Sequence, residues 1–251
     1  AAEHVKPATL ELGGKSPQIV FADADLENTV NGVLSGIFLS NGQSCVAGSR
    51  LIIQEPIRDL FLQRLQERVA SLRFGDPLRD DTDIGPIANK PQFDKVLAML
   101  DRAKQAGAKV FAGGHAVKVE GFENGYFIAP TILEAVATDS EIWQQEVFGP
   151  VLCVRSFATA DEAIRLANDS NYGLAAGVWS GDADFASSVA SRIDAGTVYI
   201  NHYRSVSACA PVGGIKKSGY GRELGPNAIR DFMQEKAVWH GTAPLPNPFQ
   251  R

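Results

Sequence analysis

The run "VLCVRSF" (Val151–Phe157) opens with four apolar residues before its first charge. A continuous apolar run, rather than an alternating one, fits a strand covered on both faces, as strands of parallel sheets are. Shorter runs of the same kind recur along the chain: "PQIVF" (17–21), "RLIIQ" (50–54), "KVFAG" (109–113), "AAGVWS" (175–180) and "GTVYIN" (196–201). Helical patterns lie between them. Asp25 is placed to cap a helix in which Val30, Val33, Leu34, Ile37 and Phe38 form one apolar face. Pro56 stands near the start of a helix over 56–72 that turns Phe61, Leu65, Val69 and Leu72 inward. Phe93, Val96, Leu97 and Leu100 mark a third helix, closed near Gly107. Thr159 and Glu162 have the spacing of a capping box for a helix to about Asn168, and Phe185, Val189 and Ile193 lie on another. The alternation predicts an α/β fold, a mostly parallel open sheet with helices on both faces. "EKAVWHGT" (235–242) reads as one last strand, suited to a neighbouring sheet edge, before a Pro-rich tail.

Composition narrows the function. The chain has 251 residues with net charge −5 and no basic block, so neither nucleic acid nor an anionic membrane is an expected partner. No apolar run approaches the roughly 20 residues that span a bilayer. The first residue is Ala1 rather than methionine, and the N-terminus lacks the apolar core of a signal peptide; a start within a longer reading frame is the expectation. Three widely spaced cysteines (45, 153, 209) make no disulfide framework, which suits a reducing cytoplasm. The four histidines form no ligand-spaced pair and no C-x-x-C occurs, so no metal site is expected.

Cys45 ends "SNGQSC" (40–45), a Gly-containing turn between a predicted helix and a predicted strand. Such a turn can expose a thiol and set backbone N–H groups beside it, favouring a thiolate and a neighbouring oxyanion. The commoner fate of a free cysteine is burial as a small inert hydrophobe, and Cys153 fits that. In "TLELGGKSP" (9–17), Glu11 stands beside a double glycine. A glutamate in an apolar setting can serve as a base, although a solvated loop glutamate is the commoner explanation of such a residue. "PVGGIKKSGYGRELG" (211–225) is glycine-rich enough for a phosphate cradle but matches neither phosphate-loop nor dinucleotide fingerprint. "QEVFGPV" (145–151) places Glu146, able to hold ribose hydroxyls, beside Phe148, able to support a flat ring.

Taken in order, "LELGGKSP", "GQSC", "EVFGPV", "NYGLAAGVWS", "GTVYIN" and "GGIKKSGYGRELG" strongly resemble the aldehyde dehydrogenase superfamily, over essentially the whole chain but only the C-terminal half of a family member. The resemblance implies that Cys45 is the nucleophile, with its own N–H forming half of the oxyanion hole, and that Glu11 is the base that activates the hydrolytic water. It further implies that Glu146 and Phe148 hold the nicotinamide riboside of NAD or NADP, that Gln92 adds a ribose contact, that backbone at Leu12 approaches the nicotinamide, and that Glu223 relays protons from the base or starts a helix. Residues 1–232 are then a catalytic domain and 233–251 an oligomerisation strand and tail, making a dimer or tetramer when intact. The dinucleotide-binding domain and the asparagine completing the oxyanion hole precede this sequence in the family. The expectation is poor NAD binding and no aldehyde turnover by these residues alone. Val206 and Val212 stand where many members carry aromatics, implying a less aromatic substrate channel. Acylation of coenzyme A is the alternative within the superfamily, and Glu11 argues against it. A non-catalytic scaffold and a residual esterase are the others.

Overall fold

The computed structural model describes residues 1–249. Its centre is a seven-stranded sheet of β1 (Pro17–Val20), β2 (Arg50–Gln54), β3 (Lys109–Ala112), β4 (Thr131–Glu134), β5 (Val151–Phe157), β6 (Ala175–Trp179) and β7 (Thr197–Ile200). The order is β7-β6-β1-β2-β5-β4-β3. All pairs are parallel except β3 against β4, an antiparallel edge with a register shift between Val110 and Ala112. β5 is the run that pointed to this fold, and it lies between β2 and β4 with Val151, Leu152, Cys153 and Val154 all buried.

Among the described residues, five helices of eight residues or more cover the faces: α1 (Leu26–Phe38), α2 (Arg58–Ala70), α3 (Lys90–Gln105), α4 (Ala160–Asn168) and α5 (Ala183–Ala190). Successive strand residues point to opposite sides. Val20, Leu51, Ile53 and Leu152 therefore join Val33 and Ile37 of α1 and Phe61 and Leu65 of α2 in one core layer. Ile19, Ile52, Cys153 and Val178 join Val96 and Leu100 of α3, Leu166 of α4 and Val189 of α5 in the other. Each fully buried large apolar side chain contributes about 1.5–3 kcal/mol. The predicted caps form: Asp25 Oδ1 accepts from the Asn28 N–H at 2.8 Å. Thr159 Oγ1 accepts from the Glu162 N–H at 3.3 Å, while Glu162 Oε2 accepts from the Ala158 N–H at 3.0 Å.

Arg50, at the head of β2, is 1% exposed. Its Nε donates to the Lys15 carbonyl at 2.7 Å, and its two terminal nitrogens donate to Leu166 O at 3.0 Å and Ala167 O at 2.7 Å. The last two oxygens belong to the final turn of α4, where orphan carbonyls concentrate negative charge. The guanidinium also lies over the Trp143 ring, 5.4 Å from its centroid. Burial pulls its pKa down to about 10, which leaves it charged at neutral pH.

Residues 235–242, expected as a strand for a neighbouring sheet edge, carry no strand pairing here. A strand needs a neighbour to take its amides, and among the described residues nothing pairs with this segment. Val238 is 81% and Trp239 94% exposed.

Replacing Arg50 by Met is expected to cost at least ~3 kcal/mol, because buried carbonyls lose charged donors together. Urea unfolding checks this; a loss below about 1 kcal/mol would show that the guanidinium is dispensable.

Candidate active site

Three segments meet at the C-terminal edge of the sheet's first helix and at the entries to β1 and β5. The first carries Cys45. After α1 the chain reverses through three consecutive left-handed residues, Ser40 (φ 56°), Asn41 (φ 56°) and Gly42 (φ 66°). Asparagine tolerates this region and serine does so less readily, so the turn needs support. Asn41 Nδ2 donates to the carbonyls of Gly85 and Pro86, both at 2.9 Å, and Gln43 Oε1 accepts from the Ala88 N–H at 2.9 Å. A β-carbon on Gly42 would collide with Gly149 O, so only glycine lets the two backbones approach there. The Ala47 N–H then donates to Ser44 O at 3.0 Å, closing a tight turn with Cys45 and Val46 at its tip.

The second segment carries Glu11. Leu10–Glu11 pairs antiparallel with Gly219–Tyr220, and the Leu12 N–H donates to Ser218 O at 3.0 Å. The glycine-rich run is therefore no phosphate cradle. It clasps the Glu11 strand: a β-carbon on Gly219 would strike Leu10 O, and one on Gly213 would stand 3.0 Å from Glu11 Oε1. Desolvation of its carboxylate pushes the Glu11 pKa up, Glu223 adds to the rise and Arg222 opposes it. Glu223 starts no helix. It forms an isolated bridge with Val212, each donating its N–H to the other's carbonyl at 2.8 Å. The Leu12 side chain is 47% exposed beside this strand.

The third segment carries Glu146 and Phe148. Glu146 Oε1 accepts from the Gly14 N–H at 3.0 Å. A β-carbon on Gly13 would overlap the same carboxylate, and one on Gly14 would meet Cys45 O at 2.6 Å. The double glycine thus lies between the cysteine turn and Glu146 with bare backbone, which joins the three segments into one site. Phe148 is half-buried and has φ 55°, an uncommon value for an aromatic residue. Gln92 stabilises that conformation: its Nε2 donates to Val147 O at 2.9 Å and Phe148 O at 2.8 Å. Both amide protons are thereby used, so Gln92 acts on the loop that presents Glu146 and Phe148. As a ribose contact it has only its carbonyl oxygen to offer.

The sulfur of Cys45 does not rest as the favoured thiolate that a turn amide suggests. Burial pushes its pKa up; the N–H groups of Val46 and Cys45 pull it down, and the carboxylates of Glu146 and Glu11 raise it further. Cys153 is buried with Sγ 3.5 Å from Ile142 O, as an inert core cysteine should be, and Cys209 is exposed on the 205–212 segment.

Sequence patterns did not single out Asn41, Gln43, Arg50 or Lys15. Lys15 is 1% exposed, its Nζ has no partner among the described residues, and burial lowers its pKa. The available signal was a charged residue at the entry to each of two apolar runs, "KSPQIV" and "RLII".

A model of the aldehyde dehydrogenase family matches residues 1–238. The chain belongs to the aldehyde dehydrogenase family. It is 44% identical over 249 residues to the betaine aldehyde dehydrogenase of Brucella anthropi, covering 99% of this chain and 51% of that protein. It is likewise 44% identical over 238 residues to a chloroplastic aminoaldehyde dehydrogenase of Arabidopsis thaliana, covering 95% of this chain and 47% of the relative. A crystal structure of the Staphylococcus aureus betaine aldehyde dehydrogenase in complex with NAD+ superposes with TM-score 0.97 at 41% identity, over 100% of this chain and 50% of the other. The chain spans about half the length of the curated relatives it matches.

Within this aldehyde dehydrogenase chain, the raised thiol pKa has a direct consequence. A thiol well below its pKa gains about tenfold in thiolate per pH unit. Alkylation of Cys45 by iodoacetamide, followed by peptide mass spectrometry, is expected to keep rising above pH 9. Glu146→Gln removes a neighbouring negative charge and is expected to speed the reaction at pH 8 by about 2–5-fold. A plateau near pH 7 would contradict this account.

Proposed function

We propose that this chain carries the catalytic chemistry of an NAD(P)-dependent aldehyde dehydrogenase, oxidising an aldehyde to a carboxylate. One observation carries it: Gly14 packs on the carbonyl of Cys45 while its N–H holds Glu146, so the segments of the nucleophile, the base and Glu146 lie against one another. The nicotinamide-riboside end of the cofactor fits what is present. Glu146 offers acceptor oxygens suited to a diol, and Phe148 a partly exposed ring.

In this reading Cys45 Sγ, as thiolate, adds to the aldehyde carbon, and the developing alkoxide meets the Cys45 N–H. Holding the adduct beside Glu146 and Phe148 fixes the carbonyl carbon for oxidation. Glu146 and Phe148 would hold the nicotinamide riboside, whose ring would supply the hydride acceptor that takes the adduct to the thioester. Glu11 then takes a proton from water, the hydroxide adds to the thioester, and the carboxylate leaves as the Cys45 thiolate re-forms. A carboxylate whose pKa is pushed up by desolvation and by Glu223 is a stronger base than a solvated one. Glu223 acts on this step through its charge. The same Glu11 disfavours transfer to coenzyme A, because water activated at the thioester competes with a thiol acceptor.

The relatives named above act, by their names, on betaine aldehyde and aminoaldehydes. Val206 and Val212 add no aromatic ring to the substrate side here, and a quaternary ammonium group is best held by such rings. An aldehyde without a quaternary ammonium group is the better match. The exposed Val238 and Trp239 suit pairing with a second subunit, giving a dimer or tetramer.

Acyl transfer needs no dinucleotide, so p-nitrophenyl acetate tests the two residues separately. Wild-type chain is expected to show a burst followed by slow turnover. Cys45→Ala should abolish both phases. Glu11→Gln should keep the burst and slow the steady state by about 10²–10³-fold. A Glu11→Gln variant with unchanged turnover would remove Glu11 from the proposed role.

A further inference from the structure

The Cys45 turn is held from beneath by a residue that neither the motifs nor the mechanism uses. Tyr203 follows β7, is 5% exposed, and its hydroxyl donates to Val46 O at 2.9 Å. Its ring occupies a slot made by two glycines. A β-carbon on Gly177 of β6 would stand 2.9 Å from Tyr203 Cδ2, and one on Gly36 of α1 would stand 3.0 Å from Cδ1. Gly177 lies inside a buried strand, where glycine costs stability relative to other residues. Its presence is explained by the ring it admits. The ring is therefore fixed between helix and sheet, and the hydroxyl is fixed with it.

Three hydrogen bonds then define the turn. The Ala47 N–H donates to Ser44 O at 3.0 Å, the Gly48 N–H donates to Gly36 O at 3.0 Å, and Tyr203 anchors the carbonyl between them. The tip of the turn is Cys45 and Val46, whose N–H groups pull the thiol pKa down. We infer that Tyr203 is a positioning residue for the Cys45 nucleophile: its hydroxyl fixes Val46 and so holds the amides of the turn on Sγ and on the oxyanion that forms beside it. This rests on the proposed nucleophile role of Cys45. Without the hydroxyl the Val46 carbonyl loses its anchor, the turn loosens, and the amides no longer favour the thiolate as well.

The test follows the thiol itself, on the 251-residue chain, by iodoacetamide alkylation from pH 6 to 10.5 with Cys45 occupancy read by peptide mass spectrometry. Tyr203→Phe is expected to move the rate profile to higher pH and to slow Cys45 alkylation at pH 8 by about 3–10-fold, the scale of one hydrogen bond. Gly177→Ala, which keeps the hydroxyl but crowds the ring, should shift the profile in the same direction and serves if Tyr203→Phe does not fold. Leu100→Ala, a destabilising change in the other core layer, should lower Tm and leave the profile in place. A Tyr203→Phe profile superimposable on wild type, with Tm lowered, would reduce Tyr203 to a core residue and overturn the inference. Wild-type Cys45 that stays unreactive across the whole range would instead remove the nucleophile role, and the inference with it.

Discussion

The guanidinium of Arg50 is a buried cation neutralised by carbonyl dipoles, and the site's geometry depends on it. A lone charge cannot be taken out of water unless something replaces the solvent. Here the replacement is the end of α4, where Leu166 and Ala167 present oxygens that no helical N–H reaches, together with Lys15 O and the face of Trp143. Lys15 is four residues beyond Glu11, and Arg50 is five residues beyond Cys45. The Arg50 N–H also donates to Ser16 O at 3.2 Å, at the point where β1 and β2 begin to pair. The two chemical segments are thus registered against each other before either reaches the cleft.

From that register the rest of the cleft follows by close approach of backbones. Gly14 must be bare to lie on Cys45 O, Gly42 must be bare to pass Gly149, and Gly219 must be bare to pair beside Leu10. Each glycine marks a place where two segments distant in sequence touch main chain to main chain. The titration of the groups follows from partial desolvation beside these segments, although Glu11 and Cys45 both keep exposed surface. Glu11 and Cys45 are both drawn toward their neutral forms by loss of water and by neighbouring carboxylates, which suits a resting site that becomes reactive as protons are exchanged with substrate and water.

The sheet was legible because its strands are short, apolar and separated by helices with their own caps. Asp25, Thr159 and the Val151–Phe157 run each declare their role within a few residues. The site was legible only in part, and the division is physical. Cys45, Glu11 and Glu146 are side chains whose chemistry a sequence can display, and the structure brings their segments together. Gln92, Asn41, Tyr203 and Arg50 act by donating to backbone carbonyls, some of them more than a hundred residues away. A carbonyl oxygen is the same at every position, so no residue pattern discloses which one a side chain will find. Residues 235–242 make no sheet pairing among the described residues, and an apolar run by itself names no neighbour.

The contact between Gly42 and Gly149 has a consequence for redesign. It locks the reversal that leads to Cys45 onto the segment that presents Phe148, with no side chain between them to absorb a change in spacing. Neither loop can be lengthened, grafted or recombined alone. A chimera that exchanges residues 145–150 must carry 40–43 from the same parent, and the natural crossover points lie beyond both, within the strands β2 and β5 that follow them.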